Sequence, residues 1–274
     1  MDPIEIGINP IIFSVFGREL RWYGAMMALG VFVLLLWVYI QVRRGAKIST
    51  DDLIGGAIVG IISGIVFARL LHVFDGIESI KYYFSNPTKI IGGSGLAVYG
   101  AILGAAMGVW IYCRIRKLDY FYAVDVITPG IIMAQAIGRI GCLIAGCCYG
   151  EAGSLINIVY THPLTAGHAG HIVQPVQLYE IVFLLVLLSL ILVFRRKMKI
   201  SGIQFLTYLG TYSLWRFAIG FVRAGPPGMG QAQIIGLIAS TICFGGIVYL
   251  LVKEKKKRRA IDTASASGHE EGVT

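Results

Sequence analysis

The sequence predicts an all-α membrane protein of about seven transmembrane helices, with its amino terminus outside and its carboxyl terminus in the cytoplasm. Of its 274 residues, 56% are hydrophobic and only 14% are charged, whereas about a quarter of the residues in a soluble domain are charged. The apolar residues fall in runs of about 20, the length that a helix needs to cross the hydrocarbon core. Basic residues cluster between these runs, as they do in the cytoplasmic loops of membrane proteins.

Seven apolar runs are the predicted spans. In chain order they are residues 22–41, 53–74, 95–113, 122–142, 178–194, 205–222 and 234–252. The fourth is the least regular, because Pro129 interrupts it and Arg139 lies within it. In the second and third spans glycines recur four residues apart, a spacing that lets helices pack closely. These glycines are Gly60 and Gly64 in the second span and Gly100 and Gly104 in the third.

Basic clusters set the predicted orientation, because one follows every odd-numbered span. The clusters are Arg43, Arg44 and Lys47; Arg114, Arg116 and Lys117; Arg195, Arg196, Lys197 and Lys199; and the run of lysines and arginines over 253–259. The positive-inside rule places these segments in the cytoplasm. The amino terminus and the loops 75–89, 150–173 and 224–231 are then outside.

Residues 1–252 are predicted to form one transmembrane domain. Residues 253–274 start with a basic run and continue with small polar residues, which predicts a basic and then disordered cytoplasmic tail. The net charge of +9 does not indicate a nucleic-acid partner, because the basic residues lie in short runs between apolar spans and not on one face of a folded domain.

Charged side chains within the spans are the candidate functional residues. Each costs roughly 2.5–3.5 kcal/mol at a helix centre, so a retained one usually faces a partner or a polar cavity. Six residues within the spans or just beyond them are the candidates, and by the predicted orientation these six lie towards the outer leaflet: Arg69, His72, Arg139, Glu180, Arg216 and Arg223. Several arginines with few acids make an electropositive pocket, and guanidinium groups suit phosphate. The alternative is that each arginine extends to the lipid headgroups, above all Arg69 and Arg223 near span ends.

Helical spacing favours a polar chamber over lipid contact. One stripe of the sixth span carries Tyr208, Tyr212, Arg216, Gly220 and Arg223, which recur every three or four residues. Residues so spaced share one helix face. By the same spacing, Gln135 and Arg139 share a face of the fourth span, and Gln177 and Glu180 lie one turn apart at the start of the fifth. A lipid-facing stripe would be Leu and Val, so these faces are expected to point inward.

Several motifs resemble the bacterial prolipoprotein diacylglyceryl transferases, in order and over most of the chain. They are Leu-Arg-Trp-Tyr-Gly at 20–24, Ala-Arg-Leu at 68–70, Gly-Leu-Ala-Val-Tyr-Gly-Ala-Ile-Leu-Gly at 95–104, Gln-Ala-Ile-Gly-Arg-Ile-Gly at 135–141, Gln-Pro-Val-Gln-Leu-Tyr-Glu at 174–180, Arg-Phe at 216–217, Arg223 and Met-Gly-Gln at 229–231. The resemblance implies a multi-pass enzyme of the bacterial inner membrane. It would move the diacylglyceryl group of phosphatidylglycerol to the lipobox cysteine of a lipoprotein precursor's signal peptide, and glycerol phosphate would leave. The implied chemistry needs no cofactor.

The resemblance also implies roles for individual residues. Arg139 is similar to the family's phosphate-binding arginine, Arg216 to its second essential arginine, and Tyr212 to the tyrosine one turn before that arginine. Tyr23 looks like a functional tyrosine at the outer mouth of the first span. Tyr99 stands where members have His or Tyr and can relay a proton. Glu180 is the better candidate for the general base, or for a group that orients Arg216. Arg223, Gln135 and Gln177 are expected to contact substrate.

Three departures separate this chain from the usual family pattern. Members usually continue the Gly-Arg-x-Gly motif with Asn and later Glu, where this chain has Cys142 and Cys147. Gly220 stands where Glu is common between the two arginines, and Gln174 stands where His usually precedes the proline. These changes fit an active but divergent enzyme, or a relative with a different acceptor or lipid.

Three cysteines, Cys142, Cys147 and Cys148, cluster at the outer end of the fourth span. Small packing residues are the leading interpretation; a disulfide on the oxidising side and a nucleophilic cysteine are alternatives. No metal site is predicted, because there is no Cys-x-x-Cys pair and no partner histidine run.

Two functions from other classes also fit inward-facing arginines. One is a transporter or channel with an anion-binding vestibule. The sequence shows no inverted repeat, and its charges gather at one leaflet, which disfavours a conducting path. The other is a scaffold that only binds lipids or signal peptides.

Overall fold

The computed structural model describes residues 3–15, 18–74, 80, 82–83, 85, 98–153, 156–166, 169–225 and 229–270. Within them are seven helices of at least 17 residues, and each predicted span coincides with one: α1 (Trp22–Arg43), α2 (Thr50–Val73), α3 (Val98–Arg116), α4 (Tyr120–Ala145), α5 (Val176–Phe194), α6 (Ile203–Ile219) and α7 (Gln231–Glu270). The structure is thus mostly helical, as predicted, although it also has the short strands described below.

Five helices among the described residues are long and apolar enough to cross a membrane. They are α1, α2, α4, α5 and the part Gln231–Arg259 of α7. The apolar part of α3 is the shorter Gly100–Ile115. The chain therefore has the helices of a multi-pass membrane protein. The count of seven spans, the orientation, and the division into a domain over 1–252 and a tail over 253–274 stay predictions.

Local sequence explains where several helices begin and how α4 continues. Ser49 caps α2, because its side chain accepts a hydrogen bond from the Asp52 backbone N–H, and acidic residues in the first turn suit the helix dipole. Before α6, Gly202 takes a left-handed conformation with φ of 94°, which glycine adopts without a steric penalty. Pro129 lies inside α4 without ending it, as neighbouring groups allow in membrane helices.

The chain divides into two compact units, Met1–Leu34 with Ile127–Thr274, and Leu35–Val126. In the second unit, α2 packs against α3 through the predicted glycines. A Cβ on Gly104 would overlap Phe67 and lie 2.5 Å from the Ser63 carbonyl oxygen, and one on Gly64 would lie 3.2 Å from the Ala101 carbonyl oxygen. The two helices therefore pack closely at these glycines, as their spacing predicted.

Gly104→Ala is expected to lower the free energy of unfolding by about 1–3 kcal/mol, because the added methyl group meets backbone and side chain that cannot both move away. Gly56→Ala on α2 is the matched control, since its Cβ would lie 3.7 Å from the nearest Tyr112 atom. Thermal unfolding in detergent compares the two variants. Equal effects would contradict the close packing at Gly104.

In the first unit, α4, α5 and α6 share a buried core. Its buried members are Ile132, Ala136, Leu184, Leu187, Ile191 and Tyr208. Two glycines bring α1 against α4: a Cβ on Gly30 would lie 2.9 Å from the Ala134 carbonyl oxygen, and one on Gly141 would lie 3.2 Å from the Tyr23 Cα. Helix α7 approaches α6 at Gly236, next to the Ser213 carbonyl.

Short strands occupy segments that the sequence treated as terminus and loop. A three-stranded sheet has the order β1 (Ile4–Ile6), β4 (Ile158–Tyr160) and β5 (Ile172–Val173), and a hairpin joins β2 (Ile11–Val15) to β3 (Arg18–Arg21). β1 pairs with β4 in parallel, and β4 pairs with β5 antiparallel. The Tyr160 hydroxyl donates to the Leu143 carbonyl at 2.9 Å, so the sheet is tied to the last turns of α4.

Candidate active site

A buried ion pair joins three helices of the first unit. Arg139 on α4 lies 2.9 Å from Glu180 on α5, measured from Nη2 to Oε1. The Tyr212 hydroxyl on α6 donates to the same Oε1 at 2.7 Å. The Glu180 side chain is only 1% exposed and that of Arg139 is 17% exposed. Three of the predicted site residues thus meet at one carboxylate.

Two charged atoms of this site have no hydrogen-bond partner among the described residues. They are the Glu180 Oε2 and the Arg216 Nη1, and both are buried. More than nine in ten buried polar groups in proteins are hydrogen-bonded, so exceptions call for an explanation. Their positions suit a substrate that accepts from the guanidinium and donates to the carboxylate.

Glu180 pairs with Arg139, which corrects one expectation. The family resemblance offered Glu180 either as the general base or as a group that orients Arg216. In the structure its Oε1 is taken by Arg139 and Tyr212, and the Arg216 Nη1 has no partner among the described residues. Which arginine a carboxylate meets depends on helix rotation and side-chain reach, and sequence spacing fixes neither.

The predicted polar residues of α4 and α5 are also held in place. Tyr208 on α6 donates to the Gln135 Oε1 at 2.8 Å, and its ring lies 6.1 Å from that of Tyr212 in a stacked arrangement. Gln177 is fully buried, and its Nε2 donates to the Cys147 carbonyl at 2.5 Å. The Gln177 Oε1 has no partner among the described residues. Gln135 therefore borders the ion pair, while Gln177 anchors the loop that carries Cys147.

The remaining predicted residues lie in different surroundings. Tyr23, at the start of α1, is partly exposed and lies within electrostatic range of Arg139. Arg223 follows α6 and forms a backbone bridge with Gly150. Tyr99 is in the first turn of α3, and its side chain lies outside the described residues. Arg69 belongs to the second unit, where its guanidinium lies 5.1 Å from the Tyr83 ring centroid.

Gly220, where the resemblance led us to expect an acid, lies directly against a side chain of the neighbouring helix α7. A Cβ on Gly220 would overlap the side chain of Gln233, near the start of α7. Gln233 is buried. Its Oε1 accepts from the Gly230 backbone N–H at 2.9 Å, and its Nε2 donates to the Phe217 carbonyl at 3.4 Å. The polar amide of Gln233 therefore occupies the space beside Gly220, at the end of the helix that carries Arg216. This position of Gln233 was not predicted from the sequence.

Gly220→Ala is expected to lower the free energy of unfolding by about 1–3 kcal/mol, because the methyl group would collide with Gln233. Adding Gln233→Ala should recover part of the loss, since it removes the colliding atoms. Gly245→Ala, which meets nothing within 4 Å, serves as control in the same unfolding measurement. If the second substitution made Gly220→Ala worse, Gln233 would not be the group that fills this space.

The third departure, Gln174, has a structural role. Its backbone N–H donates to the Gly150 carbonyl at 3.2 Å and its carbonyl accepts from the Gly150 N–H at 3.0 Å. A Cβ on Gly153 would overlap the Gln174 side-chain amide. Gln174 thus packs between two glycines of the loop that follows α4.

The structure brings the three clustered cysteines together as thiols. The sulfur atoms of Cys142, Cys147 and Cys148 lie within 4.8 Å of one another, and none forms a disulfide. Arg139 approaches this thiol cluster as well, with Nη1 3.9 Å from the Cys142 Sγ. Hydrogen bonds with Cys142 and Cys147, and then the charge of Arg223, lower the pKa of the Cys148 thiol. The cluster is therefore continuous with the ion-pair site.

Comparison with known proteins agrees over almost the whole chain. The profile of the family described as "Prolipoprotein diacylglyceryl transferase" matches residues 10–252. A protein of Dehalococcoides mccartyi named "Phosphatidylglycerol--prolipoprotein diacylglyceryl transferase" is 46% identical over 256 residues, which are 92% of this chain and 97% of that protein. A protein of Clostridium tetani with the same name is 34% identical over 258 residues, 91% of this chain and 100% of that protein.

Proposed function

The chain belongs to the prolipoprotein diacylglyceryl transferase family, and from this premise we propose its reaction. It transfers the diacylglyceryl group of phosphatidylglycerol to the lipobox cysteine in the signal peptide of a lipoprotein precursor. A thioether forms and glycerol phosphate leaves. The observation that carries the proposal is the buried meeting of Arg139, Glu180 and Tyr212 beside an arginine with an unpartnered nitrogen.

The two arginines suit the departing phosphate. As the C–O bond breaks, negative charge grows on the phosphate oxygens, and donors already fixed at that place stabilise the transition state more than the bound lipid. Arg139 is held by Glu180, so little reorganisation is needed when the charge develops. The Arg216 Nη1 is buried without a partner among the described residues and can donate to a phosphate oxygen.

The acceptor thiol must lose its proton before it attacks. Glu180 is the proposed acceptor, because its Oε1 holds Arg139 and Tyr212 while its Oε2 has no partner among the described residues. A positioned base of this kind contributes about 10²–10⁴ in rate. Gln135, Gln177 and Arg223 are proposed to position the substrates. Tyr23 and Tyr99 keep the roles that the family resemblance implies.

The membrane arrangement proposed with this reaction has seven spans, an external amino terminus and a cytoplasmic carboxyl terminus in the bacterial inner membrane. The basic segments after α1, α3, α5 and in α7 support this orientation. It puts the site towards the outer leaflet, where phosphatidylglycerol and a translocated signal peptide are both accessible.

The transporter and scaffold alternatives are not favoured. The two named relatives match this chain over 97% or more of their own length. The similarity to transferases therefore extends over nearly the whole chain and is not confined to one segment. The residues that a non-catalytic scaffold would be free to lose, Arg139 and Glu180, are present and paired.

A mass measurement tests the reaction. Purified protein is mixed with phosphatidylglycerol and a lipobox peptide, and the peptide should gain the mass of one diacylglyceryl group. A peptide with serine in place of the lipobox cysteine, and a reaction with phosphatidylethanolamine in place of phosphatidylglycerol, are the controls. No mass gain while peptide and lipid both bind would contradict the transfer and support a binding protein.

A further inference from the structure

We propose that Cys142, Cys147 and Cys148 bind a zinc ion and that the thiol of the acceptor cysteine is its fourth ligand. The metal site follows from the cysteines alone, whereas the role of the acceptor thiol rests on the proposed transfer. The sequence disfavoured a metal site because the cysteine spacing is unusual. The structure overrides that argument, because it brings all three sulfur atoms together.

The distances suit zinc coordination. Zn–S bonds are about 2.3 Å, and tetrahedral geometry then separates two sulfur ligands by about 3.8 Å. In the structure the three sulfur atoms lie within 4.8 Å of one another. No sulfur pair would have to close by more than about 1 Å, which side-chain rotation can provide. Thiolates are ligands that zinc and other soft metals prefer.

The loop that carries two of the thiols is built to hold them inward. Gly146 and Cys148 both have left-handed backbones, with φ of 71° and 66°, and a non-glycine residue adopts this conformation only where its surroundings enforce it. The Cys147 N–H donates to the Cys142 carbonyl at 3.2 Å. Gln177 holds the Cys147 carbonyl from α5. Strain and two anchors thus maintain a turn that points three thiols at one place.

Three protein ligands leave one coordination position open. Among the described residues, no histidine, aspartate or glutamate joins the three cysteines in a metal-ligand group. Structural zinc sites have four protein ligands, whereas catalytic ones have three and bind water or substrate in the fourth position. Cys147 and Cys148 are partly exposed, so a ligand can approach from their side. A thiol from outside the chain fits that position.

Zinc would supply what a carboxylate alone lacks. An ordinary thiol has a pKa of about 8.5 and gives its proton to a carboxylate reluctantly, but a thiol bound to a metal cation is deprotonated readily. The acceptor thiol binds the ion and its proton passes to the Glu180 Oε2. The sulfur attacks the glyceryl carbon, a C–S bond forms, and the C–O bond breaks with its electrons leaving on glycerol phosphate. That phosphate takes the proton from Glu180, which restores the site.

Arg139 connects this metal site to the phosphate site. One nitrogen of its guanidinium is 3.9 Å from the Cys142 Sγ, and another is 2.9 Å from the Glu180 Oε1. A zinc ion with three thiolates has a net charge of −1, which the guanidinium offsets. Arg139 therefore links the thiol cluster to Glu180, the group proposed to take the thiol proton.

Metal content tests the site itself. The full chain is purified in reducing detergent buffer with added zinc, and bound metal is counted by elemental mass spectrometry. About one zinc per chain is expected, at most a tenth of that in Cys142→Ser and in Cys147→Ser, and an unchanged amount in Cys243→Ser, where the buried thiol is outside the cluster. Wild-type protein without zinc, or with a disulfide among the three cysteines, would overturn the proposal.

Cobalt tests the fourth ligand. Co²⁺ bound in place of zinc shows sulfur-to-metal absorption, which should rise when a lipobox peptide is added and stay constant with the serine peptide. Chelation of the metal from wild-type protein should slow diacylglyceryl transfer at least tenfold, and zinc should restore it. Full transfer by metal-free protein would overturn the role in thiol activation while the proposed transferase function stands. Absence of transfer from metal-loaded protein would instead contradict the transferase function.

Discussion

Arg139→Ala is expected to lower diacylglyceryl transfer by about 10³-fold or more, which is the size of effect seen when a fixed donor to a developing oxyanion is removed. Arg139 is the residue that contacts Glu180 and approaches Cys142, so its loss affects phosphate, base and thiol cluster together. The rate is measured as peptide mass gain per unit time at saturating phosphatidylglycerol.

Arg139→Lys separates catalysis from folding. Alanine leaves the buried Glu180 carboxylate unpaired, which costs about 3–5 kcal/mol and can reduce the folded fraction. Lysine keeps the positive charge but loses the planar fork that binds phosphate through two nitrogens, so it should fold and still be slower by about 10²-fold. Arg116→Ala, which breaks the partly exposed ion pair with Asp52, should leave the rate unchanged. A lysine variant as fast as wild type would contradict phosphate binding by a guanidinium.

Glu180→Gln is expected to lower the rate by about 10²–10³-fold, within the range for loss of a positioned base. The amide has nearly the same shape, so Tyr212 can still donate to its oxygen. What is lost is the charge that holds Arg139 and the oxygen that would take the thiol proton. Single-turnover measurements of peptide modification distinguish a slower chemical step from weaker binding.

Tyr212→Phe is the comparison for Glu180→Gln. It removes one hydrogen bond to the Glu180 Oε1 and leaves the ion pair, so a loss of up to about tenfold is expected, in line with the net value of one hydrogen bond. If Tyr212→Phe were as slow as Glu180→Gln, the hydroxyl and not the carboxylate would be the group that handles the proton.

Helical periodicity predicted the faces of the site. Each of the seven predicted apolar runs coincides with a helix, and two residues of the predicted stripe, Tyr208 and Tyr212, donate hydrogen bonds to Gln135 and Glu180 on the neighbouring helices. The prediction of these faces succeeded because charged and amide side chains in apolar helices are stable only where they contact other polar groups.

Contacts between residues far apart in the chain could not be predicted from the sequence. The pairing of Glu180 with Arg139 on α4, and not with Arg216 on α6, depends on how the helices pack and how far the side chains reach. The sheet was missed because Ile4 pairs with Ile158, about 150 residues away, in strands too short to show alternation. Gln233 was missed because its role depends on where α7 meets Gly220.

The meeting of the three thiols also could not be predicted from the sequence, although these cysteines are close together in the chain. The spacing of Cys142, Cys147 and Cys148 resembles no common ligand pattern, and the sequence therefore favoured simple packing. Two left-handed residues, Gly146 and Cys148, fold the turn back so that the sulfur atoms meet. Backbone conformation at a non-glycine residue such as Cys148 cannot be derived from local propensity, since its surroundings impose it.

The most direct test of the central claim follows both products of one reaction. Phosphatidylglycerol labelled in its headgroup glycerol is incubated with the protein and a lipobox peptide, and the released glycerol phosphate and the modified peptide are counted. Equal amounts of the two products are expected, and both should form about 10²-fold more slowly in Arg139→Lys. Glycerol phosphate released without peptide modification, or modification at the wild-type rate in Arg139→Lys, would contradict the proposed transfer.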